Sequence, residues 1–362
     1  MPDKDSLQSA AWKRLRKNKG GIAGMIIIVM AVLVALLAYW IAPDHSPAAN
    51  RMMVEIGGLK PGQQQLFLQL KKENQNTNTS ILQRSLFGKP DTYSYIPINS
   101  YSLSADSVLV EKYIDEDVSE TLLFAKKDLQ QPLEKNFISK TFLLGTDKYG
   151  RDILSRLIIG IRVSLGVGFI AVAISITIGI LLGALAGYYR GWVDDFIMWF
   201  MNVIWSIPTL LLVFAITLLL GKGFWQIFIA VGLTMWVNVA RLVRGQVMAV
   251  RELEYIEAGK ALGFRDSRII FRHILPNILG PVLVIAASNF ASAIVIEAGL
   301  SFLGVGVQPP QPSWGLMIKE NYNFIITHNP MLALAPGFAI MILVLAFNLL
   351  GNGLRDALNV RD

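Results

Sequence analysis

The residues able to do covalent or metal chemistry are scattered along the chain. Histidine occurs three times, as His45, His273 and His328, in separate segments, and no two stand at metal-ligand spacing. Cysteine is absent, which excludes disulfides, thiolate nucleophiles and thiolate metal sites. Asp194 and Asp195 are adjacent, so on a helix they point to different faces; they fit the edge of a membrane span better than a pair of catalytic carboxylates. There is no H-E-x-x-H, no G-x-S-x-G and no G-x-x-x-x-G-K-[ST] phosphate loop. The sequence therefore assigns no catalytic residue and no metal ligand, and it expects no cofactor on this chain.

One stretch carries a different kind of chemistry, that of docking. RELEYIEAGKALGFRDSRIIFRHILPN, within residues 250–277, is long, basic and patterned, although a plain connector could be far shorter. Tyr255, Ala258 and Leu262 recur at helical spacing, Gly263 can end that helix, and Asp266 or Ser267 can cap a second one bearing Arg268 and Arg272. Pro276 marks entry to the next apolar run. A helix, a glycine turn and a second helix standing out from a membrane suit a partner's groove.

The elements that hold this stretch are membrane spans. Of the 362 residues 53% are hydrophobic and only 16% charged, well below the roughly 25% charged content of soluble domains. The net charge of +7 could serve nucleic acid, but Lys and Arg kept in cytoplasmic loops explain it more simply. A span needs about 20 mostly apolar residues. Six stretches qualify: 21–42, 163–188, 196–220, 224–240, 278–298 and 332–350. The first follows Lys13, Arg14, Arg16, Lys17 and Lys19 like a secretory signal, but its apolar run is too long for one, and an uncleaved anchor is expected. With residues 1–20 inside, Arg190 and the cluster from Arg241 to Arg272 fall in cytoplasmic loops, and both termini are cytoplasmic. Lys148, Arg151, Arg156 and Arg162 then fall outside, at the end of a long loop where the charge rule is weak.

Residues 43–143 form an extracytoplasmic insertion. YSYIPINSYSL and SVLVEKYI alternate as short strands do, and Asn74 to Ser80 reads as a loop; a small folded domain and a loosely ordered spacer both fit. The Asn78 triplet matches a glycosylation pattern that is common by chance. Residues 144–362 form the core, with five further spans. Between the last two spans, Trp314, Tyr322 and Phe324 suit either the outer membrane interface or a plain connecting loop.

Small residues repeat every four positions at Gly179, Gly183 and Gly187, and again at Gly160, Ser164 and Gly168. Such rows let helices approach closely, within this chain or against a second one. Polar residues inside spans mark candidate pathways. Here they are Asn238, Ser288, Asn289, Ser292, Glu297 and Asn348, of which Asn289, Ser292 and Glu297 are the tentative pathway set. Glu297 is expected near the outer interface, where it could be hydrated.

The docking stretch resembles the cytoplasmic loop of bacterial ABC importer permeases, which carries Glu-Ala-Ala, a Gly four residues on and a later Leu-Pro. The matching residues are Glu257, Ala258, Gly263, Leu275 and Pro276, while Gly259 replaces the second Ala and His273 a usual Ile. Gly259 would loosen the helix by up to about 1 kcal/mol. LGTDKYGRDILSRLIIGIRVSL, LSFLGVGVQPPQPSWG, ALAGYYRGWVDD and IWSIPTLLL resemble the C-type subunit of the dipeptide and oligopeptide branch. The resemblance implies an all-α membrane protein with six transmembrane helices in the type I importer permease fold, lying in the cell inner membrane. It also implies a coupling helix around Glu257 and Gly259, a second homologous permease, two ATPases holding ATP and Mg, and an extracytoplasmic peptide-binding protein. The long insertion is similar to that of importers of microcin-like peptides, so within the same architecture a microcin-like peptide or a nickel chelate is the alternative cargo. An ion-coupled secondary transporter would need inverted repeats and buried charges that the sequence does not display.

Overall fold

The computed structural model describes residues 12–72, 80–115, 117–221, 223–326 and 329–358. Asn78 and His328 lie outside the described residues, as does nearly all of the expected loop at 74–80. The helices in chain order are α1 (12–17), α2 (Lys19–Ile41), α3 (Ile81–Phe87), α4 (Ile153–Tyr189), α5 (Gly191–Trp205) and α6 (Thr209–Leu220). They continue as α7 (Phe224–Arg251), α8 (Glu254–Ala261), α9 (Asp266–Ile269), α10 (Leu275–Leu303), α11 (Trp314–Asn321) and α12 (Met331–Leu358). Five strands lie between α2 and α4: β1 (Gln63–Lys71), β2 (Tyr93–Leu103), β3 (Ser107–Asp115), β4 (Val118–Ala125) and β5 (Phe137–Phe142).

Five helical segments are long and apolar enough to cross a membrane: α2, α4, α7, the run Asp266–Leu303 and α12. The expected third span, 196–220, is instead the pair α5 and α6, which meet at an 89° bend. Pro208 causes the break: it lacks an N–H to donate and restricts Ile207 before it. Other helices outrun their apolar cores. α4 starts ten residues before the expected 163, α7 continues past Ala240 to Arg251, and α12 reaches Leu358. Arg241 and Arg244 are therefore helical residues and not loop residues.

The chain divides into two compact units. One comprises residues 1–32, 164–308 and 339–362 and is helical. Its core joins Ala184 and Tyr188 of α4, Val239, Val243 and Val247 of α7, Ile256 of α8 and Ile278 and Val282 of α10. Gly179, Gly183 and Gly187 lie against α7. A Cβ at Gly183 would stand 2.9 Å from the Val243 Cβ, and one at Gly187 the same distance from the Val247 Cβ. Gly24 of α2 meets the backbone of α12 at Leu350 in the same way. In lipid such close approach supplies dispersion energy where no hydrophobic drive exists.

The second unit comprises residues 33–163 and 309–338 and contains the sheet. Its strand order is β4-β3-β2-β1-β5, with every neighbouring pair antiparallel. Because side chains alternate along a strand, β1 feeds two clusters. Leu66, Leu68 and Leu70 join Ile98, Val108, Val110 and Leu129, whereas Phe67 faces Met53, Ile56 and Phe142. The insertion is therefore a folded β domain, and YSYIPINSYSL and SVLVEKYI are its paired strands β2 and β3.

Candidate functional site

The docking stretch folds as two helices around a tight turn. α8 ends at Leu262, and Gly263 takes φ +78°, a left-handed conformation that favours glycine. Phe264 then folds back, its N–H donating to the Gly259 carbonyl at 3.1 Å. Ile256 and Gly259 face the chain's own core, whereas Tyr255, Glu257, Ala258 and Leu262 face outward; Leu262 is 73% exposed. The periodic stripe thus points away from this chain's interior. Phe271, exposed on the following turn, adds to the outward apolar surface, and Arg265, Arg268 and Arg272 surround it with positive charge.

Arg265, and neither Asp266 nor Ser267, holds the N-cap position of α9, without a side-chain cap. Asp266 opens the helix and its carboxylate accepts from the Tyr188 hydroxyl at 2.7 Å, so the end of α4 fastens the start of α9. Arg251, the last residue of α7, donates to the Tyr188 carbonyl. From Ile270 to Ile274 the backbone winds as one π turn, and Leu275 and Pro276 open α10 without a break. The helical run from Asp266 to Leu303 therefore joins the turn at Gly263 to the middle of the unit.

That middle holds a cavity of about 430 Å³, lined from α5 to α7, α10 and α12. Four of the polar span residues singled out in the sequence converge there: Asn238, Asn289, Ser292 and Asn348, joined by Thr234 and Trp205. Asn289 is 5% exposed, while Asn238, Ser292 and Asn348 are open to the cavity side. Among the described residues, no ionisable side chain lines the cavity. Asn and Ser offer donors and acceptors without charge, which matches amide-bearing ligands. Glu297 does not belong to this group. It is 0% exposed and accepts from Ser301 Oγ at 2.6 Å, so it is a packed residue of α10 and not a hydrated one at the interface. Asp194, in the first turn of α5, takes a bidentate pair from Arg244 at 2.5 and 2.6 Å, which fixes α5 on α7.

In the second unit Arg151 and Arg162, of the basic residues before span two, have hydrogen-bond partners. Asp147 accepts from Arg151 Nε at 2.6 Å, and Glu320 of α11 accepts from Arg151 Nη2 at 2.7 Å. Arg156 is 0% exposed, and its nearest carboxylate is Glu320 at 3.6 Å. Arg162 donates to the carbonyls of Ser85 and Leu86 in α3. Trp314 is buried, with its indole N–H on the Leu157 carbonyl at 3.0 Å, whereas Tyr322 is exposed and Phe324 half-buried. Gly160 makes room for the Trp314 ring, since a Cβ there would come within 2.9 Å of it. No spacing rule pointed to Glu320 as the partner, because the Arg151–Glu320 pair spans 169 residues of sequence.

The spans, the cavity and the outward-facing helical turn are those of a multi-pass membrane protein. Residues 179–361 match the family described as binding-protein-dependent transport system inner membrane component, and residues 6–60 match the N-terminal transmembrane domain of oligopeptide transport permease C. The chain is a member of that inner-membrane transport family. The dipeptide transport system permease protein of Alkalihalophilus pseudofirmus is 45% identical over 215 residues, covering 59% of this chain and 70% of the relative. The glutathione transport system permease protein of Pectobacterium atrosepticum is 42% identical over 221 residues, with 61% and 73% covered. The oligopeptide transport system permease protein of Bacillus subtilis is 39% identical over 221 residues, with 61% and 72% covered. Residues 61–178, which include the whole sheet, fall between the two family matches.

Proposed function

We propose that this chain is one permease of an ATP-driven importer that moves peptides into the cytoplasm, with both termini on the cytoplasmic side. It pairs with a second homologous permease, two ATPases that hold ATP and Mg, and an extracytoplasmic peptide-binding protein. The observation that carries the reading is the outward stripe of Tyr255, Ala258 and Leu262 on α8, stacked over buried Ile256 and Gly259. An apolar stripe rimmed by charge on a short projecting helix fits a groove in a partner protein. Closure of the ATPases would push α8, and the continuous run from Asp266 to Leu303 would carry that movement to Asn289 and Ser292. The cavity's uncharged amides favour recognition of peptide backbone over particular side chains. The permeases named for dipeptide, glutathione and oligopeptide transport support the same cargo class.

The absence of native cysteine allows a direct test. A single cysteine introduced at Ala258 should crosslink to an ATPase subunit in membranes holding the whole complex, whereas one at the buried Ile256 should not. Equal crosslinking at both positions, or none at Ala258, would contradict the assignment.

A further inference from the structure

At one end of the helical unit lies a groove that the transport reading does not use. Its volume is about 530 Å³, and its walls come from Trp12 and Leu15 of α1, Leu279 and Leu283 of α10, and Leu354 and Leu358 of α12. Leu279 and Leu283 stand four residues apart on one face of a membrane-spanning helix, and both are exposed. Gly280 brings α10 close to α12, with a Cβ there meeting Leu358 at 3.2 Å.

α1 supplies the other half of the site. Asn18 interrupts the helix between α1 and α2: its Oδ1 accepts from the Gly21 N–H at 2.9 Å, and its Nδ2 donates to Asp356 Oδ2 at 2.8 Å. Leu15 is buried against Gly21 and Gly353, which pins α1 with Trp12 at the groove. The rest of α1 carries exposed Lys13, Arg14, Arg16 and Lys17, followed by exposed Lys19, and residues 12–43 contain no acidic side chain. The Arg16 guanidinium lies 5.2 Å from the Trp12 ring centroid, so a cation is held beside a groove-lining residue.

We infer that this end of the protein binds one anionic phospholipid of the surrounding bilayer. Its acyl chain lies in the groove against Leu279 and Leu283, and its phosphate sits at Arg16 and the neighbouring cations of α1. Charge decides between lipid classes, because a zwitterionic headgroup offers the five cations no net attraction. Tryptophan beside the groove mouth matches the depth at which headgroup meets hydrocarbon. A short helix with an apolar face and a basic face is also what lies in the bilayer surface plane.

The test uses the full chain with its co-isolating subunits, reconstituted in phosphatidylcholine nanodiscs containing a graded fraction of phosphatidylglycerol. Lipid retained after detergent exchange is identified by native mass spectrometry. The expected result is retention of phosphatidylglycerol in preference to phosphatidylcholine. Arg16→Gln should weaken it about fivefold, the effect of one basic residue near an anionic surface. Leu283→Trp, at an exposed position, should fill the groove and abolish retention while leaving the cations in place; Lys13→Gln gives a second charge variant. Equal retention of the two lipids by the unaltered protein would overturn the inference. So would wild-type retention in Leu283→Trp, because basic residues alone would then account for the binding. Crosslinking from Ala258 reports on the ATPase contact independently.

Discussion

Two residues show how a single side chain is tuned here. Arg156 is wholly buried, and none of its guanidinium nitrogens has a hydrogen-bond partner among the described residues. It shares Glu320 with Arg151, whose contact is nearly 1 Å shorter. Arg156→Met should therefore be neutral or stabilising by about 1–4 kcal/mol, whereas Glu320→Gln, which leaves the buried Arg156 guanidinium without its nearest carboxylate and Arg151 with Asp147 alone, should destabilise by about 3–5 kcal/mol. Thermal unfolding in detergent of the two variants checks the opposite signs. Gly259 is the second case. A Cβ there would meet Phe264 Cδ2 at 3.4 Å, an ordinary contact, so Gly259→Ala should stabilise α8 by up to about 1 kcal/mol without disturbing the turn. Protection of the α8 amides in hydrogen exchange should rise accordingly.

At the scale of elements, the α4–α7 contact and the sheet make separate predictions. Gly183→Leu would drive a side chain into Val243 and the Ala240 backbone, and it should cost about 1–3 kcal/mol and lower the yield of folded protein in detergent. In the sheet, burial and the neighbouring Arg51 charge lower the Lys140 ammonium of β5 to about 8, against the opposing pull of Asp44, Asp91 and Asp152. An unfolded chain keeps that group near 10.5, so between about 8 and 10.5 it binds more protons than the folded one. Stability from this group therefore rises with pH across that window, and the cost of charging it is fully present below 8. Lys140→Met should slow hydrogen exchange in β1 and β5 at pH 7, and its advantage over the unaltered chain should shrink by pH 10.

Much of this was legible from pattern. Apolar length located the spans, and alternation located β2 and β3, because both signals are local. The bend at Pro208 could have been read from that residue and was masked by the continuous hydrophobicity around it. The outward direction of Tyr255, Ala258 and Leu262 was not legible, since periodicity gives a face without saying which neighbour it meets. Glu297 and Glu320 were misjudged or overlooked because burial and long-range ion pairs depend on tertiary packing.

For the whole molecule, the sheet is an addition to a transport core. The Gly62 N–H donates to the Phe142 carbonyl at 2.8 Å, so the two ends of the stretch 63–142 lie side by side. Replacing that stretch with a short Gly-Ser linker should leave the spans inserted and the ATPases recruited, as protease protection and co-purification would report; failure to insert would make the sheet part of the membrane fold. The central claim is that α8 transmits force between ATP hydrolysis elsewhere and the cavity around Asn289. Its most direct measurement is peptide-stimulated ATPase activity of the reconstituted complex carrying Glu257→Ala with Leu262→Asp. A loss of at least about tenfold, equivalent to about 1.4 kcal/mol of coupling, with the permease still in the membrane is the expected result. Stimulation equal to that of the unaltered complex would contradict it.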